Sequence, residues 1–251
     1  MSLSPIPKVL STMQAHGVQA LLMGGQACVL YGAAEFSRDA DFAVLASPEN
    51  LGRLTGALAE LQADVIAVPP YEVRYLEKGH AVHFRCKHPE AQGMRVDVMA
   101  RLRGVDPFGE LWARRTTWDL PEGFQIDSLS LPDLVASKKT QRDKDWPMIR
   151  RLVEVSYDEG FASPTPERID FWLRELRTPE LLIECARAFP EEAQQATSTR
   201  PAVAAAVEGD EDAIGEALAA EEASERERDR AYWNPLKAEL EALRHSRNRG
   251  S

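Results

Sequence analysis

The sequence predicts an α+β fold: a short mixed β-sheet flanked by helices, followed by a helical C-terminal region. Three observations predict it. Short apolar or alternating runs separated by glycine turns recur between residues 18 and 100. An amphipathic helical pattern over residues 49–62 supplies a cover for one sheet face. Beyond residue 126, helix formers and proline breaks replace strand-like alternation.

Taken in order, residues 6–16 read as an opening helix with Val9, Leu10 and Met13 at helical spacing, stopped by His16-Gly17. Residues 18–23 form an apolar strand ending at Gly24-Gly25, and residues 26–31 resume helical spacing up to Gly32. From 38 to 45 the chain alternates, so Asp39, Asp41 and Ala43 share one strand face while Ala40, Phe42 and Val44 share the other. Leu51, Leu54, Leu58 and Leu61 make the apolar stripe of the next helix. Residues 80–86 and 94–100 are two strands, antiparallel across the turn-forming stretch between them, and the second carries Asp97. An irregular stretch follows with Pro107, Gly109, Pro121 and Gly123, and then a long helical region over 128–157, interrupted or restarted near Pro147. Residues 162–169 link to a helix bearing Ile169, Phe171, Trp172 and Leu176, Thr199-Arg200-Pro201 marks another break, and residues 209–233 are strongly helix-forming. The expected division is a core over 1–125, a helical extension over 126–160 and a helical C-terminal region over 161–251.

Composition narrows the function classes. With 251 residues, 44% of them hydrophobic, the chain can bury one good-sized core and a smaller second one. No apolar run approaches the roughly 20 residues a bilayer requires, and the first ten residues lack the parts of a signal peptide, so a cytoplasmic protein without a membrane partner is expected. Cys28, Cys86 and Cys185 are odd in number and far apart, which predicts reduced, buried thiols. The net charge is −10, with 17 basic and 18 acidic residues over 1–150 against 13 and 22 over the remainder. A general nucleic-acid footprint is therefore missing, while the nearly neutral first part leaves room for a local phosphate-binding cluster.

Phosphoryl-group transfer asks a protein mainly to place charge, and carboxylates holding magnesium do so. An Asp-x-Asp strand puts two carboxylates on one face, and Asp97 from another strand completes a set of three. Gly24-Gly25 before a helix exposes backbone N–H groups to a phosphate without a side chain in the way. The three carboxylates are expected to converge beside that turn.

In combination, strand, Gly24-Gly25, thirteen residues from Gln26 to Arg38, Asp39-Ala40-Asp41 with Phe42, and Val96-Asp97-Val98 resemble the nucleotidyltransferase superfamily related to DNA polymerase beta. The resemblance covers roughly residues 15–150. It implies a nucleotidyltransferase core in which Asp39, Asp41 and Asp97 bind two Mg2+ ions, with Mn2+ as a substitute, and Gly24, Gly25, Ser37 and Arg38 contact a nucleoside triphosphate. The block from Asp133 to Ile149 is similar to the lysine-rich helix that follows the core in bacterial nucleotidyltransferase-like proteins, including the abortive-infection toxin group. That likeness implies a triphosphate contact from Lys138 or Lys139, supported by Arg142, Lys144 and Asp145. Gly25 stands where the family commonly has serine, and Glu35 where many members have arginine.

The implied activity is transfer of a nucleoside monophosphate from a nucleoside triphosphate to an acceptor hydroxyl, the acceptor being RNA, a protein or a small molecule. The competing expectation is a non-catalytic nucleotide-binding or toxin–antitoxin type member of the same fold. A zinc site from His80, His83, Cys86 and His88 is disfavoured, because strand alternation points His83 away from the other three. Satisfied polar strand residues, or a histidine near the substrate, are expected there instead. The five tryptophans are expected as core or interface aromatics.

Overall fold

The computed structural model describes residues 5–121 and 123–249. The chain divides into two compact units, the first formed by residues up to 30, 34–137 and from 231 onward, the second by 31–33 and 138–230. This division differs from the three consecutive segments read from the sequence. Compactness follows contacts and not chain order, and the end of the last helix groups with the sheet.

In the first unit, α1 (Ile6–Ala15), β1 (Ala20–Met23), α2 (Gly24–Leu30), β2 (Asp39–Val44) and α3 (Pro48–Glu60) follow the expected order. They are joined by β3 (Asp64–Val65), α4 (Val73–Lys78), β4 (Val82–Arg85), β5 (Arg95–Met99), α5 (Phe108–Ala113), β6 (Thr116–Asp119), β7 (Gln125–Ser128) and α6 (Leu131–Ser137). The strands form one sheet in the order β3-β4-β5-β2-β1-β7-β6. β2 runs antiparallel to β1 and parallel to β5, so the sheet is mixed at its centre.

Alternation sorts the sheet into two unlike faces. Ala40, Phe42 and Val44 of β2 join Val96, Val98, Val82 and Phe84 of the neighbouring strands in one buried cluster with Val9, Leu10 and Met13 of α1 and Leu54, Leu58 and Leu61 from the α3 segment. Burying a side chain such as Phe42 stabilises by about 2–3 kcal/mol, so this face anchors the unit. Leu51 is only partly buried and packs against the cluster from its edge. Ser47 caps α3 by accepting from the Asn50 backbone, and Pro48 occupies its first position. The Asn50 side chain, 2% exposed, accepts from Gln19 N at 2.7 Å and donates to the Gln19 and Leu45 carbonyls, fastening α3 to both central strands.

The stretch read as irregular contains α5, β6 and β7. β7 pairs parallel with β1 and antiparallel with β6, partnerships that no local pattern announces. The helical region also differs from expectation: α6 ends at Ser137, so Lys138 and Lys139 lie on the non-helical stretch before α7 (Asp145–Gly160). Pro147 explains the interruption. A proline ring is tolerated in a helix's first turn and clashes with the preceding turn in an interior, so the helix restarts just before it.

The second unit contains α7, α8 (Pro166–Glu175), α9 (Pro179–Ala188), α10 (Pro190–Ala196), α11 (Pro201–Glu208) and the part of α12 (Glu211–Arg249) up to residue 230. Proline opens α8, α9, α10 and α11, where its missing N–H costs nothing. Trp172 is fully buried, donates to Ser156 Oγ at 3.1 Å and meets Tyr157 edge-on at 5.2 Å. A Cβ on Gly160 would come within 2.8 Å of Trp172, so glycine there permits close packing. All three cysteines are buried and outside any disulfide, and burial pushes the thiols of Cys86 and Cys185 up to about 11 and about 12. Among the described residues, no helix is long and apolar enough to cross a membrane.

Candidate carboxylate site

The sheet face opposite the apolar cluster carries charge. In the β2–β5 ladder Asp39 is paired with Arg95 and Asp41 with Asp97, so all four side chains leave the same face. β4 adds His83, paired with Asp97 across the antiparallel ladder. Asp41 is also paired with Met23, the residue before Gly24. Register therefore brings Asp39, Asp41 and Asp97 together beside the glycine turn.

Glycine is required at that turn for two reasons. Gly24 has φ +66°, and a Cβ there would lie 2.6 Å from the Asp41 Cγ. A Cβ on Gly25 would lie 2.9 Å from the Ser37 Cβ, with the Ser37 hydroxyl nearer still. The Ser37 hydroxyl donates to Asp39 O at 3.2 Å, and Gln26 Nε2 donates to Ser37 O at 2.9 Å, tying the approach to β2 onto α2. Arg38 is exposed and its guanidinium lies over the ring of the exposed Phe36.

Asp97 is engaged. Arg95 Nε donates to its Oδ1 at 2.8 Å and Arg95 Nη2 to its Oδ2 at 2.7 Å. His83 Nδ1 lies 2.9 Å from Oδ1 and 3.0 Å from Arg95 Nη2, and its tautomer decides which contact is a hydrogen bond. Burial pushes the Asp97 carboxyl up, but hydrogen bonding to His83 and Arg95 outweighs it and holds the group below its ordinary value. The Asp97 hydrogen bonds push the Arg95 guanidinium up against the opposing effect of burial, with the charges of Asp97, Asp39 and Asp41 adding to the rise. Among the described residues, no three acidic, histidine or cysteine side chains are placed to hold one metal ion. Asp39 and Asp41 are a two-carboxylate set, which suits a magnesium ion that takes its remaining ligands from phosphate and water.

The basic residues expected at the triphosphate belong to the second unit. Lys138, 8% exposed, lies 4.0 Å from the Asp145 carboxylate, Lys139 donates to Glu175 at 2.8 Å, and Arg142 Nε donates to Asp145 at 2.7 Å. Thr140 Oγ1 also donates to Asp145, and Trp146 Nε1 donates to Thr140 O, so these residues brace the stretch before α7.

Sequence reasoning passed over Arg95, although the alternation in Arg95-Val96-Asp97 places it on the Asp97 face. The four residues of the zinc alternative go to separate roles. His80 is fully buried against Glu239 at 2.8 Å, Cys86 is in the apolar cluster and His88 accepts from Glu90 N. Only His83 reaches the carboxylates. No protein-family model matches the chain, and no curated protein matches it.

Proposed function

We propose that the chain is a magnesium-dependent nucleotidyltransferase that moves a nucleoside monophosphate from a nucleoside triphosphate to an acceptor hydroxyl. The observation that supports this reading best is the β2–β5 register, which sets Asp41 beside Asp97 on one face with Gly24 against Asp41. Magnesium at Asp39 and Asp41 would offset phosphate charge and orient the triphosphate. The first amides of α2, the Ser37 hydroxyl beside Gly25 and the exposed Arg38 are the local donors for phosphate oxygens. The phosphate role of Lys138, Lys139 and Arg142 rests on the resemblance alone.

In the reaction the acceptor oxygen bonds to the α-phosphorus as the bond to the pyrophosphate oxygen breaks, and the hydroxyl proton passes to a carboxylate or to water. Asp97 is the third carboxylate of this set. Its pairing with Arg95 and His83 means that existing partners must be displaced before it can ligate an ion.

The test is incubation with each α-labelled nucleoside triphosphate and magnesium, with and without cell RNA and protein. Transfer of label that Asp41→Asn abolishes is the expected result; absence of transfer to any acceptor removes the catalytic reading. A non-catalytic nucleotide-binding member, of the toxin–antitoxin kind, is favoured by one observation, the neutralised state of Asp97. Saturable triphosphate binding without transfer would select it.

A further inference from the structure

The second unit holds a cavity of about 520 Å³ between α7, the start of α9 and α12. Trp146, Arg150, Arg177 and Arg226 line it with Asp143 and Glu222, and Pro179, Leu218 and Ala219 give it an apolar wall. Three guanidiniums thus meet at one cavity. Arg150 stands one turn after Trp146 on α7, and the Arg177 and Arg226 guanidiniums lie 4.8 and 5.8 Å from the centre of the Trp146 ring. Like charges converge at a cost, and the acids around them offset it unevenly. Arg226 Nη1 donates to Asp143 at 2.7 Å and its Nε to Glu222 at 2.8 Å, but the Asp143 side chain is 97% exposed, so water screens that pair. Arg150 reaches Glu154 and Thr178 through Nε, at 2.8 and 3.0 Å, and neither contact uses its Nη groups. Arg177 is the most enclosed of the three, its side chain 8% exposed. It meets Glu221 at 3.3 Å, a carboxylate that Arg200 holds more closely at 2.9 Å. Burial and the charge of Arg200 hold the Arg177 guanidinium below its ordinary value, although Glu221, Glu175 and Glu222 pull it up. With every neighbouring acid counted, this buried cation is still under-compensated, and the cavity lies beside it.

We propose that this cavity binds a small organic phosphate, whose phosphoryl oxygens accept from Arg150, Arg177 and Arg226 while its organic body rests against the apolar wall. A guanidinium fork matches phosphate oxygens in pairs, and a dianionic phosphate offsets three guanidiniums better than a single carboxylate does. Asp143 is then a competitor, holding Arg226 from the solvent side until the ligand displaces it. The site uses none of the residues of the transferase reading and stands or falls independently of it.

The test is titration calorimetry of the full chain in EDTA, which keeps divalent ions off the carboxylate face, with phenyl phosphate as the probe. Inorganic phosphate, benzoate and phenol are the controls. Phenyl phosphate should bind once per chain, more tightly than inorganic phosphate, which lacks the apolar body, and than benzoate, which carries a single charge. Phenol should not bind. Arg150→Gln and Arg226→Gln should each weaken phenyl phosphate about tenfold or more, the loss expected for a charged hydrogen bond. Asp143→Asn should tighten it about threefold, because the competitor for Arg226 loses its charge. A network with only a structural role predicts no such gain. Circular dichroism checks folding, and if Arg226→Gln does not fold, the exposed positions Arg150 and Asp143 decide the outcome. No saturable binding of phenyl phosphate, equal affinity for benzoate, or an affinity that Arg150→Gln and Asp143→Asn leave unmoved overturns the proposal.

Discussion

Arg95 in the first unit and Arg200 in the second both grip carboxylates, but they differ in what takes their remaining donors and charge. Arg200, 7% exposed, donates to the Leu173 and Leu176 carbonyls at 2.8 Å each and to Glu221 at 2.9 Å. Arg177 shares Glu221 at 3.3 Å and donates to the Leu218 carbonyl. There, two arginines share Glu221, Glu175 and Glu222 add their charge near Arg177, and the Leu173 and Leu176 carbonyls at the end of α8 accept further donors. Around Arg95 one arginine meets three aspartates of the ladder, Asp97 through hydrogen bonds and Asp39 and Asp41 through their charge. Donors that end on main-chain carbonyls make a structural joint. Carboxylates gathered on one sheet face are where the proposed function would place a cation.

The largest expected effect lies at the structural joint. Arg200→Ala should cost about 3–5 kcal/mol in urea unfolding, because two buried carbonyls lose their donor and Glu221 keeps only the longer contact from Arg177. A cost within the range of surface variants would break the comparison, since Arg200 would then be no more structural than Arg95.

Gly24→Ala should cost about 1–3 kcal/mol and also abolish Mn2+ binding, because the new methyl meets the Asp41 carboxylate at a positive φ. Gly93→Ala is the control. Gly93 has φ +77° with nothing within 4 Å, so about 1 kcal/mol of backbone strain is its whole expected cost. Equal costs would show that the approach of Asp41 to the turn has no energetic consequence.

Arg95→Met should destabilise the metal-free protein by about 1–2 kcal/mol, and Mn2+ should restore it by binding the native state. Arg200→Ala should show no such rescue. Thermal unfolding with and without Mn2+ separates the two arginines by function.

A smaller effect is expected in acid. The folded Asp97 carboxyl titrates below its ordinary 3.8, so its stabilisation is complete above that value and is lost as pH falls through the lower folded value. Asp97→Asn should therefore be less stable than wild type at neutral pH, and the gap should close on acidification below 3.8. A gap that persists in strong acid would mean that packing, and not charge, sets the contribution of Asp97. Smallest of all, Lys139→Ala should shift stability by about 1 kcal/mol or less, since its ion pair with Glu175 is partly solvated.

Much of the site follows from local rules. The period of two in Arg38 to Leu45 puts Asp39 and Asp41 on one face before any partner strand is known, and apolar neighbours mark Asp97 as a strand residue. Lys138 and Lys139 show the limit of such reading. Their surroundings look helical, and only Pro147 hints that the helix must stop and restart.

The sequence by itself determined the α+β order, the amphipathic α3, the helical character of the C-terminal region and the shared face of the first two aspartates, because each depends on residues within a turn or two of one another. The tertiary structure alone decided that β2 lies parallel to β5 in the register that seats Asp97 beside Asp41, that β7 completes the sheet at β1, and that His83 of β4 reaches Asp97. Those outcomes depend on strands distant in the chain, where a slip of one residue would turn every side chain to the other face. What holds the register is the buried apolar cluster on the reverse side, so the chemistry of the charged face is set by packing that it does not share.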